Sequence, residues 1–162
     1  MKRISTSITA FILMTCLLCG CSVSKGSTDP DMQDVADAVF AASQINMDDM
    51  SQIPDDYVAD IMHIDPTYYE LRNTIISTIG INLNEYGIFK ATSKENADKI
   101  ATALNEYIDY RQDAWMDGYM PDEKPKLDNA EVWQQGNYVM YAILSDDART
   151  AVKSAFESCF EG

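Results

Sequence analysis

The sequence is short of almost everything that marks a catalytic or metal site. It has one histidine, His63, in 162 residues. A Ser–His–Asp arrangement would have to use it, yet there is no G-x-S-x-G elbow. One histidine without a thiol pair is also a poor zinc donor set. His63 therefore reads as a loop or helix-end residue. No glycine-rich phosphate loop and no dinucleotide fingerprint occurs. Basic residues are scarce: 12 Lys and Arg stand against 26 Asp and Glu, a formal charge of −14. Such a chain has no basic footprint for nucleic acid and is repelled by anionic lipid surfaces. The expectation is a non-enzyme with no catalytic residue, metal, cofactor or nucleic-acid partner. The apolar run near the N-terminus, Ile8–Leu18, has eleven residues. A bilayer-spanning helix needs roughly 20.

What that run does have is context. Lys2 and Arg3 precede it, and three of the four cysteines, Cys16, Cys19 and Cys21, fall within six residues at its end. A basic start and a short apolar core form the pattern of a secretory signal. A Cys16-x-x-Cys19 redox pair or a three-cysteine metal clip would need a folded, partly polar site. These cysteines sit in a hydrophobic leader instead. Leu18-Cys19-Gly20-Cys21 resembles the lipobox of bacterial lipoproteins, a Leu and two small residues before an invariant cysteine. The resemblance implies that residues 1–20 are a signal peptide and that Cys21 carries a diacylglyceryl thioether as the first mature residue. Two acyl chains give stable anchoring where one gives only marginal binding. The expected location is the outer face of a bacterial cytoplasmic membrane, with the domain exported and lipid-anchored.

Twelve basic residues less Lys2 and Arg3 leave ten against 26 acidic, about −16 for the mature chain. The acid is uneven: Asp29 to Asp65 holds ten Asp and no Glu, Lys or Arg. Asp favours caps and turns, and no D-x-D-x-D-G calcium loop is present. The segment reads first as caps and a solvated surface, with a cation-binding or partner-facing acidic face as the functional reading. With Cys21 acylated and the leader gone, Cys159 is left as a single thiol, so no intramolecular disulfide is expected.

Residues 21–28 are the lipidated cysteine and a polar tether, and residues 29–162 a single domain. Asp29-Pro30 reads as a helix cap and first helical position, with a helix to about Ser43 and a short one near Asp55–Met62. Two β-branched segments, Leu71–Ile79 and Glu85–Thr92, flank a hairpin loop at residues 80–84. Thr92-Ser93-Lys94-Glu95 is a capping box for a long helix reaching Gly118. A Pro-rich connector, residues 118–129, leads to a second hairpin around Gly136-Asn137. Ser145-Asp146-Asp147 then caps a final helix. The fold class expected is α+β: a mainly antiparallel sheet of two hairpins with helices packed on one face.

Several segments carry a family resemblance in their order and spacing. They are Asn84 to Ala91, Tyr110-Arg111-Gln112 with Trp115, Tyr119-Met120-Pro121, Asn129 to Val132, Gly136 to Val139, and Leu144 to Ala148. Together they resemble Gram-positive, largely clostridial lipoproteins with domain of unknown function 4358, over about residues 58–160. Members commonly open with a lipobox. Tyr86-Gly87 departs from the aliphatic residues more usual there, and a strand glycine suggests a bulge. The family has no established activity, so no catalytic residue carries over.

The candidate ligand or partner contacts are Arg111, Trp115 and Tyr119. Arg111 falls on the apolar stripe of the long helix, where it either meets an anion or peptide carboxylate or covers apolar surface with its stem. The aromatic group of Tyr110, Trp115, Tyr119, Trp133, Tyr138 and Tyr141 is either a binding patch or core. Acidic pairs Asp122-Glu123 and Asp146-Asp147 read as surface and helix start. The function expected is a membrane-anchored, non-catalytic binding or interaction module with a cell-envelope protein partner. A carboxylate-based extracytoplasmic hydrolase is the alternative.

Overall fold

The computed structural model describes residues 29–161. The elements follow as α1 (Met32–Ser43), β1 (Met50–Gln52), α2 (Asp55–Asp60), β2 (Tyr69–Ser77), β3 (Glu85–Ala91), α3 (Lys94–Asp113), α4 (Lys124–Asp128), β4 (Glu131–Gln135), β5 (Tyr138–Ile143) and α5 (Asp146–Ser158). All strand pairs are antiparallel, in the order β1-β2-β3-β5-β4. The two expected hairpins, β2–β3 and β4–β5, are present and join through β3 and β5 at the centre.

Helices cover both faces of this sheet, not one. Phe89, Ala91, Val139, Tyr141 and Ile143 pack with Ala97, Ile100 and Leu104 of α3, Val58 of α2 and Leu127 of α4. Their strand neighbours Tyr86, Ile88, Tyr138, Met140 and Ala142 point the other way. They pack with Val35 and Val39 of α1 and Val152 and Phe156 of α5. The period-2 alternation of a strand puts these two sets on opposite faces. A sheet covered on both faces needs apolar residues on both, which is why β5 reads as the unbroken run YVMYAI, buried throughout.

Local signals set the element ends, with small shifts from expectation. Asp31, not Asp29, caps α1, accepting from Gln33 N at 2.8 Å. Ser93 rather than Thr92 caps α3, accepting from Asn96 N at 3.1 Å. The Thr92 N–H instead bonds the Tyr68 carbonyl at 2.9 Å, which holds Thr92 to the sheet. Glu95 turns to Lys99 at 2.8 Å and does not close a capping box. α3 stops at Asp113, five residues before Gly118. The connector is not wholly irregular, since Lys124–Asp128 forms α4. Gly136 adopts φ 58° in the β4–β5 turn, a conformation that suits glycine.

Gly87 is paired regularly with Thr74 on one side and Tyr141 on the other, so it is not a bulge. The register shift of this hairpin lies between Tyr69 and Leu71. Glycine at 87 has a packing reason: a Cβ there would meet the Tyr141 ring at 2.5 Å and the Thr74 methyl at 2.7 Å. The missing side chain is the seat of the Tyr141 ring. Gly87→Ala should therefore overpack the centre of the sheet and cost about 1–3 kcal/mol. Urea denaturation checks this, and an unchanged midpoint would mean that Tyr141 moves aside freely.

Candidate functional site

Two polar assemblies are built on this frame, one internal and one open. The internal one centres on Glu85, the first residue of β3, which is 0% exposed. Its Oε1 accepts from the Tyr141 hydroxyl of β5 at 2.7 Å and the Tyr107 hydroxyl of α3 at 2.9 Å. Its Oε2 pairs with the Arg111 guanidinium, also on α3. Tyr107 donates to Glu85, so it accepts from Arg111 Nη1 at 2.9 Å and from the Tyr57 hydroxyl at 3.1 Å. Every donor in this chain thus points toward one carboxylate.

Burial pushes the Tyr141 hydroxyl pKa well up, and the adjacent carboxylate adds to the shift. Tyr107 moves up for the same first reason. For Arg111, burial opposes the charge, but the Glu85 carboxylate more than offsets it and the guanidinium stays protonated. The hydroxyls therefore remain donors and the ion pair remains closed. This is a satisfied cross-tie between α3, β3 and β5. Removing the cation alone would strand a buried carboxylate. Arg111→Met should cost about 3–5 kcal/mol, read from chemical denaturation at neutral pH. A loss under about 1 kcal/mol would place the pair among surface-like bridges.

The open assembly is a cleft of about 460 Å³ at the end of the sheet where β3 begins and β5 ends. Its walls are the C-terminal end of α1 with Gln44, the following loop with Asn46 and Asp49, and the β2–β3 loop with Asn82 and Asn84. Lys126 of α4 and the N-terminus of α5, with Ser145 and Asp147, complete it. Lys126 Nζ is held by Asn84 Oδ1 at 2.9 Å and Glu123 Oε2 at 2.8 Å. Asn82 Oδ1 accepts from Asn84 N at 2.9 Å. Both side-chain carbonyls thus accept from donors of the cleft wall. Fixed donors and acceptors of both charge signs line one concave surface.

Glu123 ties the cleft together. It bonds Lys126 and also accepts from the Leu83 N–H at 2.8 Å. Burial alone would raise its pKa, but the ammonium and the backbone donor outweigh it and hold the carboxyl below its ordinary value. A depressed folded-state pKa contributes stability above the unfolded value that is lost as pH falls through the folded one. Glu123→Gln should lose about 1–3 kcal/mol at pH 7. The gap from wild type should close as pH drops below the ordinary glutamate value of 4.5. A gap that persists unchanged to acid pH would overturn the charge-based account.

The sequence-derived candidates fall in separate places. Arg111 is committed to Glu85 and lies over the Tyr107 ring at 5.4 Å. Trp115 lies just past the end of α3, where its indole N–H donates to the Tyr119 carbonyl at 2.9 Å. The Trp115 and Tyr119 rings are 5.4 Å apart. Tyr138 and Tyr141 are core, whereas Tyr110 is exposed. His63 sits in a turn with φ 55°. Asp146 pairs with Arg149 at 3.0 Å. Cys21 lies outside the described residues. Among the described residues no helix is long and apolar enough to cross a membrane.

The cleft was not legible beforehand, because its walls come from four separated segments. A family model with the description Domain of unknown function (DUF4358) matches residues 43–144. The chain belongs to this DUF4358 family. The match begins at the last residue of α1 and ends just before α5, earlier at both ends than the sequence resemblance over 58–160. It contains every strand, the whole Glu85 tie and most of the cleft. No curated protein and no solved structure matches the chain.

Proposed function

We propose that this DUF4358 chain is a lipid-anchored, exported binding module. In this reading Cys21 is acylated and the domain stands on the outer face of a bacterial cytoplasmic membrane. The cleft takes a polar, hydrogen-bonding segment of a cell-envelope partner. One observation carries the reading: the chain's entry and the cleft lie at opposite ends of the sheet. Asp29 is held by Lys90 near the end of β3 at 2.8 Å, and the Pro30 carbonyl accepts from Tyr138 at the start of β5. The cleft is at the other ends of the same two strands. Seven strand residues at roughly 3.3 Å each separate the ends by about 20 Å. A tether leaving at residue 29 would hold the cleft away from the bilayer, where a partner can reach it.

Anchoring and binding are tested separately. Labelled palmitate should enter wild type and not Cys21→Ala; equal labelling would sink the anchor. For the cleft, a photo-cross-linking residue at position 82 in intact cells should give a discrete adduct. The same residue at position 34, on α1, should not. Identical products from both positions, or none from either, would count against the cleft.

A carboxylate hydrolase is the second reading, favoured by Asp49 and Asp147 lining the same cleft. It requires that Asp49→Asn and Asp147→Asn each abolish turnover of a cell-wall peptide or glycan that wild type cleaves.

A further inference from the structure

A second recessed surface lies on the α3 side of the sheet, and its chemistry differs from that of the cleft. Between α2 and α3 is a groove of about 330 Å³ lined by Asp60, Ile61, His63, Glu106, Tyr107 and Tyr110. Ile61 is 44% exposed and Tyr110 65% exposed, and the two sit together in this one groove. The groove does not end there. A shallower depression continues along α2 through Asp60 and Ile61 to Pro54 and Asp56. These two share Asp60 and Ile61 and form one trough. Beyond Glu106, a separate depression on α3 carries the Lys99–Glu95 ion pair.

Its rim is acidic. Asp56, Asp60 and Glu106 form no ion pair with another described residue: α2 has no cation, and those of α3 and Arg72 on β2 are paired with other carboxylates. Arg72 is paired with Asp55, Lys99 with Glu95, and Arg111 with Glu85. A trough with an apolar floor and uncompensated carboxylates selects its occupant by charge. A second copy of this chain, at −14, is repelled. So are an anionic lipid surface and a nucleic acid.

We propose that the α2–α3 trough docks a cationic segment of another polypeptide. One large apolar side chain seats against Ile61, Tyr107 and Tyr110. Lys or Arg residues on either side meet Asp60 and Glu106, and the exposed Tyr110 ring offers its face to a cation. This site is independent of the cleft and of the anchor.

The test uses three synthetic peptides of about 12 residues, long enough to span such a trough. They alternate Leu with Lys, Leu with Glu, or Ser with Lys, and binding to the full chain is followed by fluorescence anisotropy. The Leu/Lys peptide should bind, and the other two should bind at least about tenfold more weakly. Ile61→Ser and the pair Asp60→Asn/Glu106→Gln should each weaken Leu/Lys binding about tenfold. Asp34→Asn/Asp37→Asn, which removes the same charge from α1 on the opposite face, should leave it unchanged. Three outcomes overturn the proposal. The α1 pair weakens binding as much as the trough pair, which would mean that total charge is sensed. The Ser/Lys peptide binds equally, which would mean that no apolar seat is used. Or the protein forms a dimer that Ile61→Ser dissolves, which would make a second copy the occupant.

Discussion

A carboxylate with no exposure to water, placed at the first residue of a central strand, has to be matched by donors in fixed directions. Apolar contacts do not impose direction, but hydrogen bonds do. Glu85 is matched by a hydroxyl from β5, a hydroxyl from α3 and a guanidinium from the last turn of α3. These three contacts set where α3 lies along the sheet. A slide of either helix or strand would leave the carboxylate short of a donor, at a cost far above that of a lost van der Waals contact. Gly87 belongs to the same device two residues along the strand. It clears the space in which the Tyr141 ring lies while its hydroxyl reaches Glu85. The remaining apolar core on that face is arranged around this tie.

The two ends of the sheet are built differently. At one, Lys90 and Tyr138 hold the incoming chain at Asp29 and Pro30. At the other, the loops that follow β2 and β5 leave their polar groups facing a common space instead of closing over the core. Glu123 and Lys126 brace that space from α4. The strands between are covered on both faces, so they act as a rigid spacer. Recognition surfaces on such a frame are expected at loop ends, which need not satisfy the sheet's hydrogen bonds.

The acidity of the chain resolves into separate uses. Within the Asp-rich segment, Asp31 and Asp65 cap helical turns, Asp55 pairs with Arg72, and Asp55 and Asp56 open α2. Much of that segment is therefore ordinary capping, as its composition suggested. Asp56 and Asp60 remain on the trough, where Glu106 joins them from a helix nearly fifty residues away in the chain.

The sequence by itself determined the elements: two hairpins, the long helix, the serine cap of α5 and the membership of a family. Each depends on a period or a cap within a few residues, where local backbone chemistry dominates. Even there the caps of α1 and α3 moved by two residues and one, since Asp29 is paired with Lys90 and the Thr92 N–H with the Tyr68 carbonyl. Tertiary structure alone decided which face each helix covers. It also turned Arg111 inward to a carboxylate 26 residues away and gathered the cleft and the trough. Those outcomes depend on distances between segments far apart in the chain, and no local pattern encodes the partner of a buried charge.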